Sequence, residues 1–343
     1  MDQQNSYLND GEVQSCQQLG QRLMDGLNAV ILGQEHLVRS VVTASLAGGH
    51  VLLEGLPGLG KTELVKGLAR LLTLQFQRVQ FTPDLLPGDI TGGHVLQETE
   101  TGKDFVFRAG PVFCNLLLAD EINRASPKTQ SALLEAMAEA RVTVLGETRD
   151  LPKPFFVLAT QNPIEMEGTY PLPEAQLDRF MFKVDVGPVS VAVLEAIVGS
   201  RRHGRPPQPE PVADGAEFEK FSNLAGRVHI PAAVLSYIAR LCEATHPASD
   251  AAPKMVREYV RYGASPRAAI SIAESARVDA LIDGKPTVGF DNVNRVVSPA
   301  LIHRIVLDYR ARLDGVGAGM VVEDLLTNVK PLKDPLPEEV IDG

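Results

Sequence analysis

Hydrophobic and polar positions follow three patterns along the chain, with changes near residues 50 and 187. Residues 12–47 carry apolar side chains at helical spacing and predict helix with a break at 32–34. Short apolar runs then alternate with helix-like segments. The runs that predict strands are 51–54, 78–81, 116–120 and 155–160. Because these runs are apolar almost throughout, they indicate a parallel sheet covered by helices on both faces, with helices at 61–73 and 127–140.

A long segment separates the second and third predicted strands and exceeds the usual length of a connection. Its two halves alternate apolar and polar residues around 100–103, and they predict an inserted β-hairpin at 93–107. The alternative interpretation is an ordinary solvent-exposed connection.

The pattern changes again after Gly187, where a helix-like segment at 189–200 precedes a stretch rich in proline and charge. From about Glu217 to Leu307 the apolar spacing is helical, and no strand is predicted. We expect a loosely held tail from Glu323. The fold class is therefore α/β, with a parallel-sheet core followed by an all-helical domain. The predicted division is an N-terminal segment (1–24), the core (25–187), a connecting helix and linker (188–228), the helical domain (229–312) and an acidic tail (313–343).

Composition narrows the class of protein. The chain has 343 residues, 44% of them hydrophobic, and a formal net charge of −10, which argues against a protein whose main task is to bind nucleic acid. Its N-terminus lacks the pattern of a signal peptide, and no apolar run is long enough to predict a membrane span. The 3 cysteines are widely separated, which is typical of a reducing cytoplasm.

A glycine-rich stretch, GLPGLGKT at 55–62, lies directly between a predicted strand and a predicted helix. Glycines let backbone N–H groups surround phosphates, and the helix N-terminus adds unpaired donors. We therefore expect a nucleoside triphosphate here, with Lys61 reaching the β- and γ-phosphates and the Thr62 hydroxyl on Mg²⁺. The residues expected to line the nucleotide are Gly55, Leu56, Pro57, Gly58, Leu59, Gly60, Lys61, Thr62 and Glu63.

The predicted strand at 116–120 ends in two carboxylates, Asp120 and Glu121. This pairing suits a division of labour in which Asp120 binds Mg²⁺ and Glu121 activates a water molecule. An apolar run that ends in Asp-Glu is common by accident, but its place in an alternating strand and helix pattern favours the functional interpretation.

Two later residues extend the candidate site. Asn162 follows the strand at 155–160 and would hold a water molecule against the γ-phosphate, although an ordinary Asn-Pro turn is the alternative. Arg179 follows a short helix, where a surface charge or an ion-pair partner is the usual interpretation. Arg124 is a candidate interface charge, and a helix-capping or ion-pair role suits it at least as well.

Taken together, these motifs resemble those of the AAA+ ATPases, and more narrowly those of the MoxR family. The resemblance covers roughly residues 25–310. The stretches that carry it are FTPDLLPGDITG (81–92), LADEINRASPKTQSALLEAM (118–137), ATQNPIEMEGTYPLPEAQLDRF (159–180) and GASPRAA (263–269).

The resemblance implies a role for each matching residue. It makes Asp120 and Glu121 the metal and general-base carboxylates, Asn162 the polar sensor of the γ-phosphate, and Arg179 an arginine finger inserted into a neighbouring subunit. Arg267 becomes the second sensor of the helical lid, serving either its own site or that of a neighbour. The break that contains Gly33 and Gln34 resembles the segment that packs on adenine. The hairpin at 93–107 and the strand pair that flanks Gly146 would both face a pore, the alternative being exposed connections.

The resemblance also implies how such a protein works. ATP and Mg²⁺ are its expected cofactors, and a homo-oligomeric, hexameric ring in the cytoplasm is its expected form. Its expected partners are protein clients that it remodels or activates, together with a von Willebrand factor A domain protein. The alternatives are the ATPase subunit of a metal chelatase-like complex and a nucleic-acid motor, which the acidic charge disfavours.

Overall fold

The structure is a computed structural model that describes residues 8–55, 60–99, 102–162, 169–201 and 206–332. The chain forms two compact units. One contains residues 19–221, and the other combines the chain up to Gln18 with the chain from Ser222 onward.

The first unit contains the predicted sheet and its helices. Its strands are β1 (Val51–Gly55), β2 (Phe76–Gln80), β3 (Gly92–Thr99), β4 (Gly102–Ala109), β5 (Leu116–Asp120), β6 (Arg141–Val144), β7 (Glu147–Asp150), β8 (Phe156–Gln161) and β9 (Phe182–Val186). The helices up to this unit's end are α1 (Asp10–Val30), which begins in the other unit, α2 (Glu35–Leu46), α3 (Lys61–Leu71), α4 (Pro87–Thr91), α5 (Pro127–Glu139), α6 (Glu174–Leu177), α7 (Val191–Ser200) and α8 (Gly215–Ala225), which continues into the other unit.

Five strands form one parallel sheet in the order β2-β5-β8-β1-β9. The central strands are buried because their apolar runs face helices on both sides, as the continuous hydrophobic pattern predicts. Since all five strands run in the same direction, their carboxyl ends lie along one edge. The residues that directly follow β1, β5 and β8 therefore lie at this edge.

Both predicted hairpins are present. β3 and β4 pair in antiparallel register, with Leu96 opposite Phe105, and β6 pairs with β7 across Leu145 and Gly146. The two hairpins also contact each other, since the Arg149 guanidinium lies 4.0 Å from the centre of the Phe107 ring. Part of the predicted turn, residues 100 and 101, lies outside the described residues.

The second unit is mainly helical. Its remaining helices are α9 (Ala232–Glu243), α10 (Lys254–Tyr259), α11 (Pro266–Ile282), α12 (Phe290–Leu301), α13 (Tyr309–Leu313) and α14 (Ala318–Asn328), and its short strands are β10 (Val260–Tyr262) and β11 (Val306–Leu307).

Two expectations for this unit are wrong. β10 and β11 form a short antiparallel pair, which is too short to produce the alternating pattern that indicates a strand. The predicted loose tail from Glu323 is helical as far as Asn328, because it belongs to α14, which buries Val321, Val322 and Leu325. The last residues of the predicted tail, 333–343, lie outside the described residues.

Two kinds of feature are absent from the described residues. No helix within them combines the length and the apolar composition needed to cross a bilayer. Nor do the same residues contain a group of three His, Cys, Asp or Glu side chains positioned to hold a metal ion.

His50 joins three elements of the first unit. The main-chain N–H of Val157 in β8 donates to its Nδ1 at 3.0 Å, so Nε2 carries the ring hydrogen and donates to the Met137 carbonyl of α5 at 3.1 Å. The N–H of Met181, just before β9, donates to the His50 carbonyl at 2.8 Å. Burial lowers the pKa of His50 to about 4, and the hydrogen bond to Met137 opposes this shift.

The buried histidine predicts a dependence of stability on pH. As the pH falls from about 6.5 to about 4, the unfolded chain takes up a proton at His50, whereas His50 in the folded chain stays neutral. The free energy of unfolding therefore decreases over this range by up to about 3 kcal/mol. We expect His50→Gln to give a shallower pH slope than the wild type in urea unfolding monitored by circular dichroism. His36→Gln, which changes an exposed histidine, is the control, and equal slopes for wild type and His50→Gln would contradict the prediction.

Candidate functional site

The carboxyl edge of the sheet holds a cavity of about 390 Å³. It lies where β1, β5 and β8 end and α3 begins, so that residues distant in the sequence meet at one place. The described residues that line it are Gly55, Gly60, Lys61, Thr62, Glu63, Arg78, Gln80, Asp120, Glu121, Thr160 and Asn162.

The glycine-rich loop begins and ends at this cavity. Gly60 has φ +83°, a conformation that glycine adopts without strain, and α3 begins at the next residue. Leu56, Pro57, Gly58 and Leu59, which the sequence predicts to contact phosphates, lie outside the described residues. The first N–H groups of α3, which have no partner within the helix, nevertheless give the cavity an anion-binding end.

Lys61 is the cation on the loop side of the cavity. Its Nζ donates to the carbonyl of Gly55, which holds the ammonium group at the end of β1. Burial lowers the pKa of Lys61, and the nearby carboxylates of Asp120, Glu121 and Glu54 oppose that shift. These acids therefore favour the charged form of the lysine in a partly desolvated site.

Asp120 is held by neighbours on both sides of its strand. Its Oδ1 accepts from the Thr160 hydroxyl at 2.6 Å, and its Oδ2 accepts from Arg78 Nη2 at 2.6 Å and Nε at 3.2 Å. The Thr62 hydroxyl lines the same cavity. A carboxylate and a hydroxyl are oxygen ligands, and Mg²⁺ in phosphate sites uses one or two such protein ligands together with the phosphates. The residues present therefore fit a magnesium ion bound with a nucleotide.

Glu121 adopts an unusual backbone conformation, with φ 57° and ψ 50°. A non-glycine residue in this left-handed region is uncommon, and such residues cluster at functional sites. Its N–H donates to the Thr160 hydroxyl at 2.9 Å, and its Oε2 accepts from Gln80 Nε2 at 2.9 Å and from Arg124 Nη1 at 3.0 Å. The carboxylate is thus fixed through one of its two oxygens.

Asn162 lies directly after β8 and is 8% exposed. Its carbonyl accepts a long hydrogen bond, 3.4 Å, from the Asn123 side chain. The structure brings Asn162 into the cavity with Lys61, Asp120 and Glu121, which a plain Asn-Pro turn does not require.

The predicted adenine segment lies beside the loop but outside the cavity lining. Ile31 Cδ1 would lie 3.1 Å from a Cβ atom built on Gly60. Gly33 has φ +69° and packs against Val193 of α7, while Gln34 Nε2 donates to the Gly187 carbonyl at 3.2 Å. The segment therefore adjoins the end of the phosphate loop.

The two predicted arginines do not line the cavity. Arg179 is exposed, and its Nη1 donates to the Leu134 carbonyl of α5 at 2.7 Å. Arg267 belongs to the other compact unit, in the first turn of α11, where its N–H donates to the Ser265 hydroxyl at 3.3 Å. Neither residue contributes to the lining formed within the first unit.

Three lining residues are absent from the sequence-based set: Arg78, Gln80 and Thr160. Arg78 and Gln80 belong to β2, which the sequence predicts as a strand without a chemical role. Their polar side chains near the carboxyl end of a predicted parallel strand were the available signal, because such ends share one edge of the sheet. Thr160 ends an apolar run in the same way.

Comparison with known proteins agrees with this architecture. The model of the ATPase family associated with various cellular activities (AAA) matches residues 50–182, and the model of the AAA lid domain matches residues 252–325. A crystal structure of a proposed ATPase from Cytophaga hutchinsonii superposes with a TM-score of 0.85 at 36% identity, covering 93% of this chain and 97% of that one.

The names of similar proteins identify the family within the AAA+ ATPases. Chaperone MoxR1 from Mycobacterium tuberculosis is 40% identical over 93% of this chain and 84% of its own length. Protein MoxR from Paracoccus denitrificans is 32% identical over 82% of this chain and 86% of its own length. These matches confirm the resemblance drawn from the motifs and the predicted α/β core with a helical lid. The chain belongs to the MoxR family of AAA+ ATPases.

Proposed function

We propose that this protein hydrolyses ATP to ADP and phosphate, and that it does so as a ring in order to remodel or activate protein clients. The observation that carries the proposal is the shared cavity of Lys61, Thr62, Asp120, Glu121 and Asn162 at the carboxyl edge of the sheet. A cation, a hydroxyl, two carboxylates and an amide in one place are the groups that phosphoryl transfer to water requires.

Each group has a distinct task in this proposal. Lys61 and the N–H groups at the start of α3 bind the β- and γ-phosphates. Thr62 and Asp120 would hold Mg²⁺, which when bound neutralises charge on the phosphates. Glu121 orients and deprotonates the attacking water, and Asn162 holds that water against the γ-phosphate. Gly33 and Gln34 lie beside the end of the loop and would pack on the adenine of the nucleotide.

Arg179 supplies the reason to propose a ring. It is exposed and does not line the cavity of its own chain, which is compatible with service as an arginine finger in a neighbouring site. We assign Arg267 to the second sensor of the lid. A site completed by a second copy would let ATP favour one arrangement of subunits over another, and hydrolysis would reverse that preference. A hexamer is the proposed closed form.

The client and the partner are proposed from membership of the family rather than from any residue of this chain. We propose a cytoplasmic protein that acts with a von Willebrand factor A domain protein. Affinity capture of Glu121→Gln with ATP and Mg²⁺ tests this, since a variant that binds but does not hydrolyse retains its partners. Recovery of a porphyrin-binding subunit would favour the chelatase alternative, and ATPase stimulation by DNA that falls steeply with salt would favour a nucleic-acid motor.

Two substitutions separate binding from hydrolysis. Lys61→Ala removes a charged donor to the phosphates, and we expect affinity for ATP to fall about ten- to a hundredfold. Glu121→Gln keeps the shape but removes the base, so we expect near-normal binding and a kcat lower by about 10²–10⁴-fold. Isothermal titration and phosphate release measure the two effects. Tight binding by Lys61→Ala or normal turnover by Glu121→Gln would contradict the assignments.

Arg179→Ala tests the shared site. We expect it to bind ATP normally and to lose about 10³–10⁵-fold in kcat, because the charge that develops on the transferred phosphoryl group is no longer neutralised. Mixing it with Lys61→Ala should restore part of the activity, since some interfaces would then combine an intact loop with an intact arginine. The lost hydrogen bond to Leu134 alone would lower the melting temperature without any rescue on mixing.

A further inference from the structure

A second cavity of the first unit lies at the end of α3 that is remote from the nucleotide cavity. It is an open groove of about 760 Å³, and none of its described lining residues also lines the nucleotide cavity. One wall consists of the last turns of α3 and the turn that leads into β2. The other wall is the stretch at 208–211, which contains two prolines and is called the proline wall below.

The proline wall is fixed to the end of α3 by the residues that follow it. The N–H groups of Val212 and Ala213 both donate to the Leu71 carbonyl, at 2.8 and 3.1 Å. The Thr73 hydroxyl in turn donates to the Ala213 carbonyl at 3.4 Å. These contacts hold the chain beside the helix end immediately after 208–211, so the two walls of the groove keep a defined position relative to each other.

Thr73, which lines the groove, is strained. Its φ is 51°, and its N–H and that of Leu74 donate to the carbonyls of Arg70 and Ala69 at 3.2 and 2.9 Å. This helix ending usually has glycine at the position of Thr73, because a β-branched residue is an outlier in the left-handed region. Strain of this kind collects at binding and functional sites. The hydroxyl bond to Ala213, which glycine could not form, links the strained turn to the proline wall.

The proline wall offers main-chain acceptors. Residues 206–211 take part in no backbone hydrogen bond with any other described residue. Pro209 and Pro211 lack an N–H and fix φ near −65°, which favours an extended conformation without internal hydrogen bonds. The carbonyl groups of this wall can therefore accept from the N–H groups of an extended peptide laid along it. A small aromatic acid has no row of N–H groups to offer them.

The α3 wall carries two exposed cations about one helical turn apart. The Arg70 side chain makes no hydrogen bond or ion pair with any described residue, and Lys66 contacts the exposed Glu63 at 2.9 Å. Helical side chains at this spacing are about 5–6 Å apart at Cβ, and alternate side chains of an extended chain are about 6.5 Å apart. Two carboxylates at alternate positions of an extended segment therefore match Lys66 and Arg70. Glu210 on the proline wall disfavours acidic side chains on that side.

The rest of the lining is largely apolar. Ala69, Leu74 and Phe76 contribute to it together with the two prolines. Leu74 and Phe76 are half-buried, so part of each side chain remains accessible to a ligand. Apolar side chains that lie between the carboxylates of a bound segment would cover this surface and remove it from water.

We propose that this groove is a docking site for an extended segment of a partner protein in which carboxylates alternate with apolar side chains. The carboxylates face Lys66 and Arg70, the apolar side chains cover Leu74 and Phe76, and the main chain of the segment donates to the proline wall. The groove is separate from the nucleotide cavity, so this inference does not depend on the proposed ATPase function.

The first test measures the charge preference of the groove. The probe is the fluorescein-labelled peptide Gly-Glu-Phe-Glu-Leu-Gly, and its binding to the full-length protein is followed by fluorescence anisotropy at low salt, where charge interactions are least screened. We expect saturable binding, and a Kd at least about tenfold higher for the peptide with lysine in place of glutamate.

Substitution of Arg70 assigns that preference to the groove. Arg70→Glu should raise the Kd of the acidic probe about tenfold, because an attraction becomes a repulsion, and Arg70→Gln should raise it about two- to fivefold. Arg22→Glu makes the same change of charge at an exposed position outside the groove and should leave the Kd unchanged. Circular dichroism checks that each variant is folded.

A second test examines the main chain of the segment. N-methylation of the phenylalanine and leucine of the probe removes two N–H donors and should raise the Kd about fivefold or more. Hydrogen exchange measured by mass spectrometry should show slower exchange at 66–76 and 207–213 when the unmodified probe is bound.

The outcomes decide between the occupants. Absence of saturable binding, equal binding of the lysine peptide, or an unchanged Kd in folded Arg70→Glu and Arg70→Gln would overturn the docking site. Equal binding of the N-methylated probe, or its displacement by phenylacetate at a similar concentration, would overturn the protein segment as the occupant and indicate a small aromatic acid instead.

Discussion

The parallel pairing of β5 between β2 and β8 is the constraint on which the candidate site depends. Parallel strands end on the same side of a sheet, so Gln80 pairs with Asp120, and Thr160 lies one residue beyond the pair of Ala119 with Ala159. A shift of one residue in either pairing would turn the polar end of a strand to the other face. The buried apolar runs of β5 and β8 resist that shift, and the core thereby fixes the chemistry.

The charges of the cavity are arranged around the places that a nucleotide and a metal would take. Lys61 on one side and Arg78 on the other face the carboxylates of Asp120 and Glu121. Both cations are satisfied within the chain, Lys61 by the Gly55 carbonyl and Arg78 by Asp120. A triphosphate with its metal could exchange these internal partners for external ones without leaving a buried charge unpaired, which is the condition for reversible binding in a partly desolvated site.

The sequence predicts site residues where a local motif also has a defined place in the pattern of strands and helices. Lys61 could be predicted from the glycine-rich stretch between a strand and a helix, and Asp120 and Glu121 because they end or directly follow a strong apolar run. Arg78 and Thr160 lie near the carboxyl ends of predicted strands, but their contacts with Asp120 depend on strand order, and no local pattern states which strands are neighbours. The β10–β11 pair and the helix α14 were missed for a related reason, because they depend on tertiary packing rather than on a long periodic stretch.

Three arginines of the first unit differ in how they are connected to Glu121. Arg78 is connected to Glu121 through Gln80, and Arg124 contacts the carboxylate directly. Arg179 is turned away from that cavity and toward the Leu134 carbonyl of α5. If it serves a neighbouring copy, each proposed site is completed by an arginine from the next subunit. Hydrolysis would then require both a bound nucleotide and an assembled ring, so an isolated subunit would not consume ATP.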